Sequence, residues 1–228
     1  MTYSDYRRVA RENLQGNWGI SIGIAAVAWL LGGTLIGSTI IPQINFQFRG
    51  ESISLEKWIE LAMTIGSSIG TGAFSLNLLG LGQFIIGGVI QLGYAQYLLK
   101  QHNKANFEMH DLFSQFDRFG QGFAQKFLRG LYTFLWSLLF VIPGIVKSYA
   151  YAMTPFIMAE NPDMSAGEAI EASKQLMEGH KGELFTLDLT FIGWDLLAAL
   201  SFNIGYLALN PYKNAAHAAF YKDLTASK

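Results

Sequence analysis

The stretch Phe127–Ala159, FLRGLYTFLWSLLFVIPGIVKSYAYAMTPFIMA, decides the fold. Its only charges are Arg129 and Lys147. A straight helix over this run would be about 50 Å long, against a bilayer hydrocarbon core of about 30 Å. Pro143 cannot donate a backbone hydrogen bond, and Gly144 loosens the chain beside it. Two geometries satisfy the length. One is a single span with a kink and an overhang. The other is a tight hairpin of two helices turning at Pro143-Gly144, with arms of about 16 residues. Either makes Pro143 and Gly144 a hinge or turn in an all-α fold.

Working outward, the rest of the chain has the same texture. Charged residues are 14%, against roughly 25% in ordinary soluble domains. Apolar residues are 51%, and mean hydropathy is +0.25. The net charge of −1 gives no bias toward nucleic acid. The absence of cysteine removes disulfides, thiolate metal sites and Cys nucleophiles. Trp18–Ile41 is uncharged and long enough to span a bilayer. It follows Arg7, Arg8 and Arg11, so it reads as an uncleaved first helix with residues 1–17 cytoplasmic. A cleaved signal peptide is the rival, but the run is longer than such a segment needs.

A second uncharged run covers Leu61–Leu99, with Leu76–Leu99 as its clearest span. The Gly-, Ser- and Thr-rich part at 58–75 is expected on the outer surface, or dipping in. If it crosses, every later segment inverts. Residues 100–129 hold Lys100, Lys104, Arg118, Lys126 and Arg129 and read as a basic cytoplasmic loop. The periodic rings Phe107, Phe113, Phe116, Phe119, Phe123 and Phe127 are expected to pack on the bundle, with a protein-binding face as the alternative.

Residues 161–183 form a polar loop. Ser165 and Glu168 make a capping box, and Gly179 is a stop. Ala166, Ala169, Ile170, Ser173, Leu176 and Met177 share one helical face. Glu168, Glu171, Lys174 and Glu178 face away, as a candidate partner surface. The last block gives helices near Leu184–Leu200 and Ile204–Tyr221, turning at Ser201–Gly205, so Asn203 and Gly205 join the candidate turn residues. The whole chain, 1–228, reads as one integral membrane domain. It makes about six crossings, or four, with both termini inside.

Three charges fall within apolar segments, where each is costly: Lys147, Asp188 and Asp195. Asp188 and Asp195 are seven apart and share a helix face. They form a candidate intramembrane polar site in which Lys147 pairs with Asp188. In the rival reading Lys147 snorkels near the hairpin turn. Enzyme signatures, phosphate loops and metal-ligand spacings are absent. His102, His110, His180 and His217 read as loop or helix-end residues. No catalytic, cofactor-binding or metal residue is predicted.

Several stretches are distinctive together. They are NLQGNWG at Asn13–Gly19, IPGIVKSYAYAMTP at Ile142–Pro155, AENP at Ala159–Pro162, SAGEAIEASKQLMEG at Ser165–Gly179, LDLTFIGW at Leu187–Trp194 and PYKNAAHAAFY at Pro211–Tyr221. They resemble the domain-of-unknown-function 975 family of bacterial integral membrane proteins, across essentially the whole chain. More loosely, the Pro-Gly hairpin and the E-A-I-x-x-S helix resemble the membrane domain of some bacterial glycerophosphodiester phosphodiesterases. That likeness implies six crossings. The chain departs from the family pattern at Ser201-Phe202-Asn203 and at Asp195. The resemblance carries no activity, so the expectation is a non-enzymatic binding or accessory module of the bacterial cytoplasmic membrane. Its partners would be the lipid bilayer, a membrane protein or a second copy, and no nucleic acid. The alternative is a small homo-oligomeric transporter or channel.

Overall fold

The computed structural model describes residues 1–33, 78–139, 141–201 and 205–226. These are helical, with no strand among the described residues. The elements are α1 (Tyr3–Leu14), α2 (Trp18–Leu30), α3 (Leu78–His102), α4 (Phe119–Leu139), α5 (Val141–Ala150), α6 (Thr154–Glu160), α7 (Ala166–Leu176), α8 (Lys181–Leu189), α9 (Ile192–Leu200) and α10 (Tyr206–Ala226). Two short 3₁₀ turns, Met109–Phe113 and Phe116–Arg118, link α3 to α4.

The run Phe127–Ala159 contains a hairpin, followed by the start of α6. α4 ends at Leu139 and α5 begins at Val141. Gly144 lies against Ser137, Lys147 against Trp136, and Tyr151 against Tyr132, so the arms are antiparallel. Pro143 sits in the first turn of α5, where its missing N–H has no intrahelical acceptor to lose. Gly144 is required by space: a Cβ there would lie 2.1 Å from Ser137 Oγ and 2.9 Å from its Cα. The chain reverses just before Pro143-Gly144, and the single kinked span is excluded.

Other antiparallel pairs repeat the pattern. α2 runs antiparallel to α3: Ser21 Oγ meets Tyr97 OH at 2.7 Å, and Leu30 O accepts from Gln83 Nε2 at 2.9 Å. α8 and α9 form one interrupted arm that returns as α10, with Gly205 packed on Ala198. Helix α10 is the centre of the bundle. Its residues 213–221 are buried on every side, and Ala215, Ala216, Ala218 and Ala219 let its neighbours approach closely. α1, the end of α6 and the end of α10 gather at one end. There Tyr6 OH donates to Asp223 at 2.5 Å, and Glu160 receives Tyr221 OH at 2.8 Å and the Lys222 ammonium.

Helix α4 is turned inside out relative to a helix in water. Gln125, Arg129, Thr133 and Ser137, each four residues on, are buried. Phe119, Phe127, Leu131, Leu135 and Leu138 are exposed, with Phe123 half-buried. An aqueous amphipathic helix has the opposite arrangement. α4 crosses α3 where two glycines meet: a Cβ on Gly88 would sit 2.2 Å from Gly122 O. Further large apolar side chains are exposed where the hairpins turn, including Trp29, Leu30, Ile142, Trp194, Leu196 and Leu200. Among the described residues, no helix is long and apolar enough to cross a membrane.

Several expectations change. The first helix stops at Leu30, where Gly32 takes a φ of +76°. Residues 34–41, the stretch 58–75 and Asn203 lie outside the described residues. The 100–129 segment is not a plain basic loop, since Lys126 and Arg129 are buried within α4. Of its rings, Phe107 packs on Tyr97 at 5.1 Å, but Phe113, Phe116, Phe119 and Phe127 are exposed. α8 and α9 replace the single helix expected over Leu184–Leu200, with Thr190 and Phe191 between them. α10, at the expected second helix near Ile204–Tyr221, is interior to the bundle.

Candidate functional site

Each acidic residue singled out in the apolar runs has a buried base facing it. Asp188 closes α8, and Asp195 lies in the first turn of α9. Their seven-residue spacing survives the interruption, and both face α10. On α10, Lys213 and His217 are four apart, on one face. The hairpin brings the two sets into register as a ladder of two acid–base pairs.

In the inner rung Lys213 Nζ donates to both Asp195 oxygens, at 3.1 and 3.2 Å. Both side chains are 4% exposed. The ammonium also lies 5.9 Å from the Phe191 ring centroid, and Tyr206 OH donates to the Asp195 main-chain oxygen at 3.1 Å. In the outer rung His217 Nε2 is 2.7 Å from Asp188 Oδ1, and Tyr149 OH donates to Asp188 Oδ2 at 2.9 Å. Tyr149 comes from α5, so this carboxylate ties three elements together. Next to the rungs, Asn214 Nδ2 donates to Tyr94 OH at 3.2 Å, and Asn214 Oδ1 is buried without a partner.

The chemistry follows from charge. A buried carboxylate needs a cation or several donors. Two carboxylates against one ammonium leave one formal negative charge, which the hydrogen bonds of His217 and Tyr149 to Asp188 help to hold in the interior. Among the described residues no group of three or more acidic or histidine side chains is placed to hold a metal ion.

Lys147 does not belong to this site. Asp188 is taken by His217 and Tyr149, and the Lys147 ammonium stands 4.6 Å over the Trp136 ring, half-buried on the hairpin. The Lys147–Asp188 pair is therefore corrected. Lys213 and His217 are the members the sequence reading missed. The available signal was the matching of spacings about the turn at 201–205: 188 and 195 on one arm, 217 and 213 on the other.

The candidate partner surface is separate. Ser165 caps α7, with its N–H donating to Glu168 Oε2 at 2.8 Å and its hydroxyl at 2.7 Å. Gly179 ends the segment with a φ of +82°. Glu168, Glu171 and Glu178 are exposed, Lys174 is half-buried, and Lys174 pairs with Glu171 at 2.5 Å. Those two charges therefore satisfy each other.

Residues 138–228 match the model of a family described as a protein of unknown function (DUF975). The match begins just before the hairpin turn and includes the whole ladder. It leaves out the Asn13–Gly19 motif. No curated protein and no solved structure matches the chain.

Proposed function

We propose, for a chain whose residues 138–228 match the DUF975 family model, a membrane-embedded helical module that binds a lipid or a membrane-protein partner without catalysing a reaction. The observation that carries this reading is the outward stripe of α4. From Phe119 to Leu138 its exposed face is apolar, over about 28 Å at 1.5 Å per residue, close to the thickness of the hydrocarbon core. The polar residues that lower the mean hydropathy of α4 face inward, so lipid on the outer face would meet only apolar groups. The exposed side chains at the hairpin turns extend this surface.

The six-crossing scheme would assign one crossing each to α2, α3, α4, α5–α6, α8–α9 and α10. In this scheme α1 and α7 lie on the cytoplasmic face with both termini. Lys147, on the ring of Trp136 near the hairpin turn, is then an interfacial residue. A transporter is the second reading, favoured by the buried ladder of Asp188, Asp195, Lys213 and His217.

Fractionation tests the main reading. The protein should remain in the membrane pellet after an alkaline carbonate wash and leave it only with detergent. Release into the carbonate supernatant would overturn the reading. Proton flux in liposomes that is lost in Asp188→Asn would favour the transporter.

A further inference from the structure

Helix α4 carries two buried cations that the ladder does not use. Lys126 and Arg129 are each 3% exposed and stand about one turn apart. Lys126 Nζ donates to the main-chain oxygens of Gly32 at 2.9 Å and Gln83 at 3.4 Å. Arg129 Nη2 donates to Gln91 Oε1 at 3.0 Å, an oxygen shared with Gln125 Nε2 at 3.0 Å. All these acceptors are neutral. Among the described residues no carboxylate lies within ion-pair distance of either cation. Arg129 Nη1 is buried with no acceptor at all.

The contrast with Lys213 is informative. That ammonium is equally buried and has a carboxylate on it. A buried cation without a counter-charge is destabilising, and a second cation one turn away makes it worse. The neutral oxygens hold both head groups in place but do not cancel their charge.

We propose that Lys126 and Arg129 receive a phosphate-bearing anion, with Arg129 Nη1 as its free donor and Lys126 as the second positive charge. Two cations suit a phosphate group carrying between one and two negative charges, and the guanidinium fork fits its oxygens. The phosphate could belong to inorganic phosphate or to an anionic lipid headgroup. Only the lipid source rests on the membrane reading. The neighbouring Phe127 lies on the outward stripe, so a lipid lying along α4 passes one residue from Lys126.

Thermal unfolding of the full chain in a neutral maltoside detergent tests this, followed by fluorescence of its 5 tryptophans. One arm replaces chloride by phosphate at constant ionic strength. The other adds phosphatidylglycerol, with phosphatidylcholine as control. The wild type should gain about 5 °C or more at saturation in at least one arm. A response to phosphate alone identifies the free anion, and a response confined to phosphatidylglycerol identifies the headgroup. Arg129→Gln and Lys126→Gln should lose the response and, without anion, unfold no lower than wild type. Should a Gln variant fail to fold, Arg129→Lys keeps the charge without the fork and should show a weakened response. A wild type indifferent to both anions, or variants responding as it does, overturns the proposal. Membrane retention in carbonate is unaffected by either result.

Discussion

At the scale of single residues, the inner rung of the ladder makes the sharpest statement. Asp195→Ala removes the carboxylate that faces the buried Lys213 ammonium and should cost about 3–5 kcal/mol. Combining Asp195→Leu with Lys213→Met should recover most of that loss, because neither charge of the pair then remains in the interior. Denaturation of the two single variants and the double variant in detergent checks this, and additive losses would contradict it. Gly144 and Gly167 form a second contrast. Gly144→Ala drives a methyl into Ser137 and should destabilise by about 1–3 kcal/mol. Gly167→Ala, on α7 with nothing within 4 Å, should be neutral or stabilising by up to about 1 kcal/mol. Comparing midpoints of the two variants decides it. Asp188 and Asp195 were legible in the sequence because each breaks an apolar run. Lys213 and His217 were not, because PYKNAAHAAFY mixes polar and small residues that suit either a span or a surface helix. Alanine is indifferent to burial, so only the tertiary position of α10 reveals that its bases face inward.

At the scale of elements, α7 was the most legible. Its cap, its faces and its glycine stop are all local, and local chemistry is what a sequence displays directly. The hydrogen bonds from the Ser165 hydroxyl and N–H hold the Glu168 carboxyl below its ordinary value of 4.5. A lowered value in the fold means the cap's contribution is fully present above pH 4.5. It fades as pH falls through the lowered value. Protection of the first-turn amides of α7, relative to their intrinsic exchange rates, should therefore fall below pH 4.5, while that of α10 stays high. Ser165→Ala should remove about 0.5–2 kcal/mol from the same turn. Helix α4 was the least legible element. Its period is plain, but Lys126 and Arg129 close a polar stretch and so were counted with a loop. Their burial depends on the glycine crossing of α3 and α4, which joins residues 34 positions apart. The hairpin was legible in kind, through its length and Pro143-Gly144. Choosing it over a kink needed the contact between Gly144 and Ser137.

At the scale of the whole molecule, the account turns on which way α4 faces. Helix α4 keeps Gln125, Arg129, Thr133 and Ser137 in the interior and apolar groups on its outer face, and the proposed membrane setting accounts for that distribution. The most direct measurement uses the cysteine-free chain, with single cysteines at 131, 135 and 138 on the α4 stripe and at 171 and 178 on α7. Each carries a nitroxide spin label in phosphatidylglycerol–phosphatidylcholine vesicles. The account predicts that labels at 131, 135 and 138 collide readily with oxygen and are shielded from a water-soluble nickel chelate, with the reverse at 171 and 178. Nickel accessibility on the α4 stripe equal to that on α7 would contradict it.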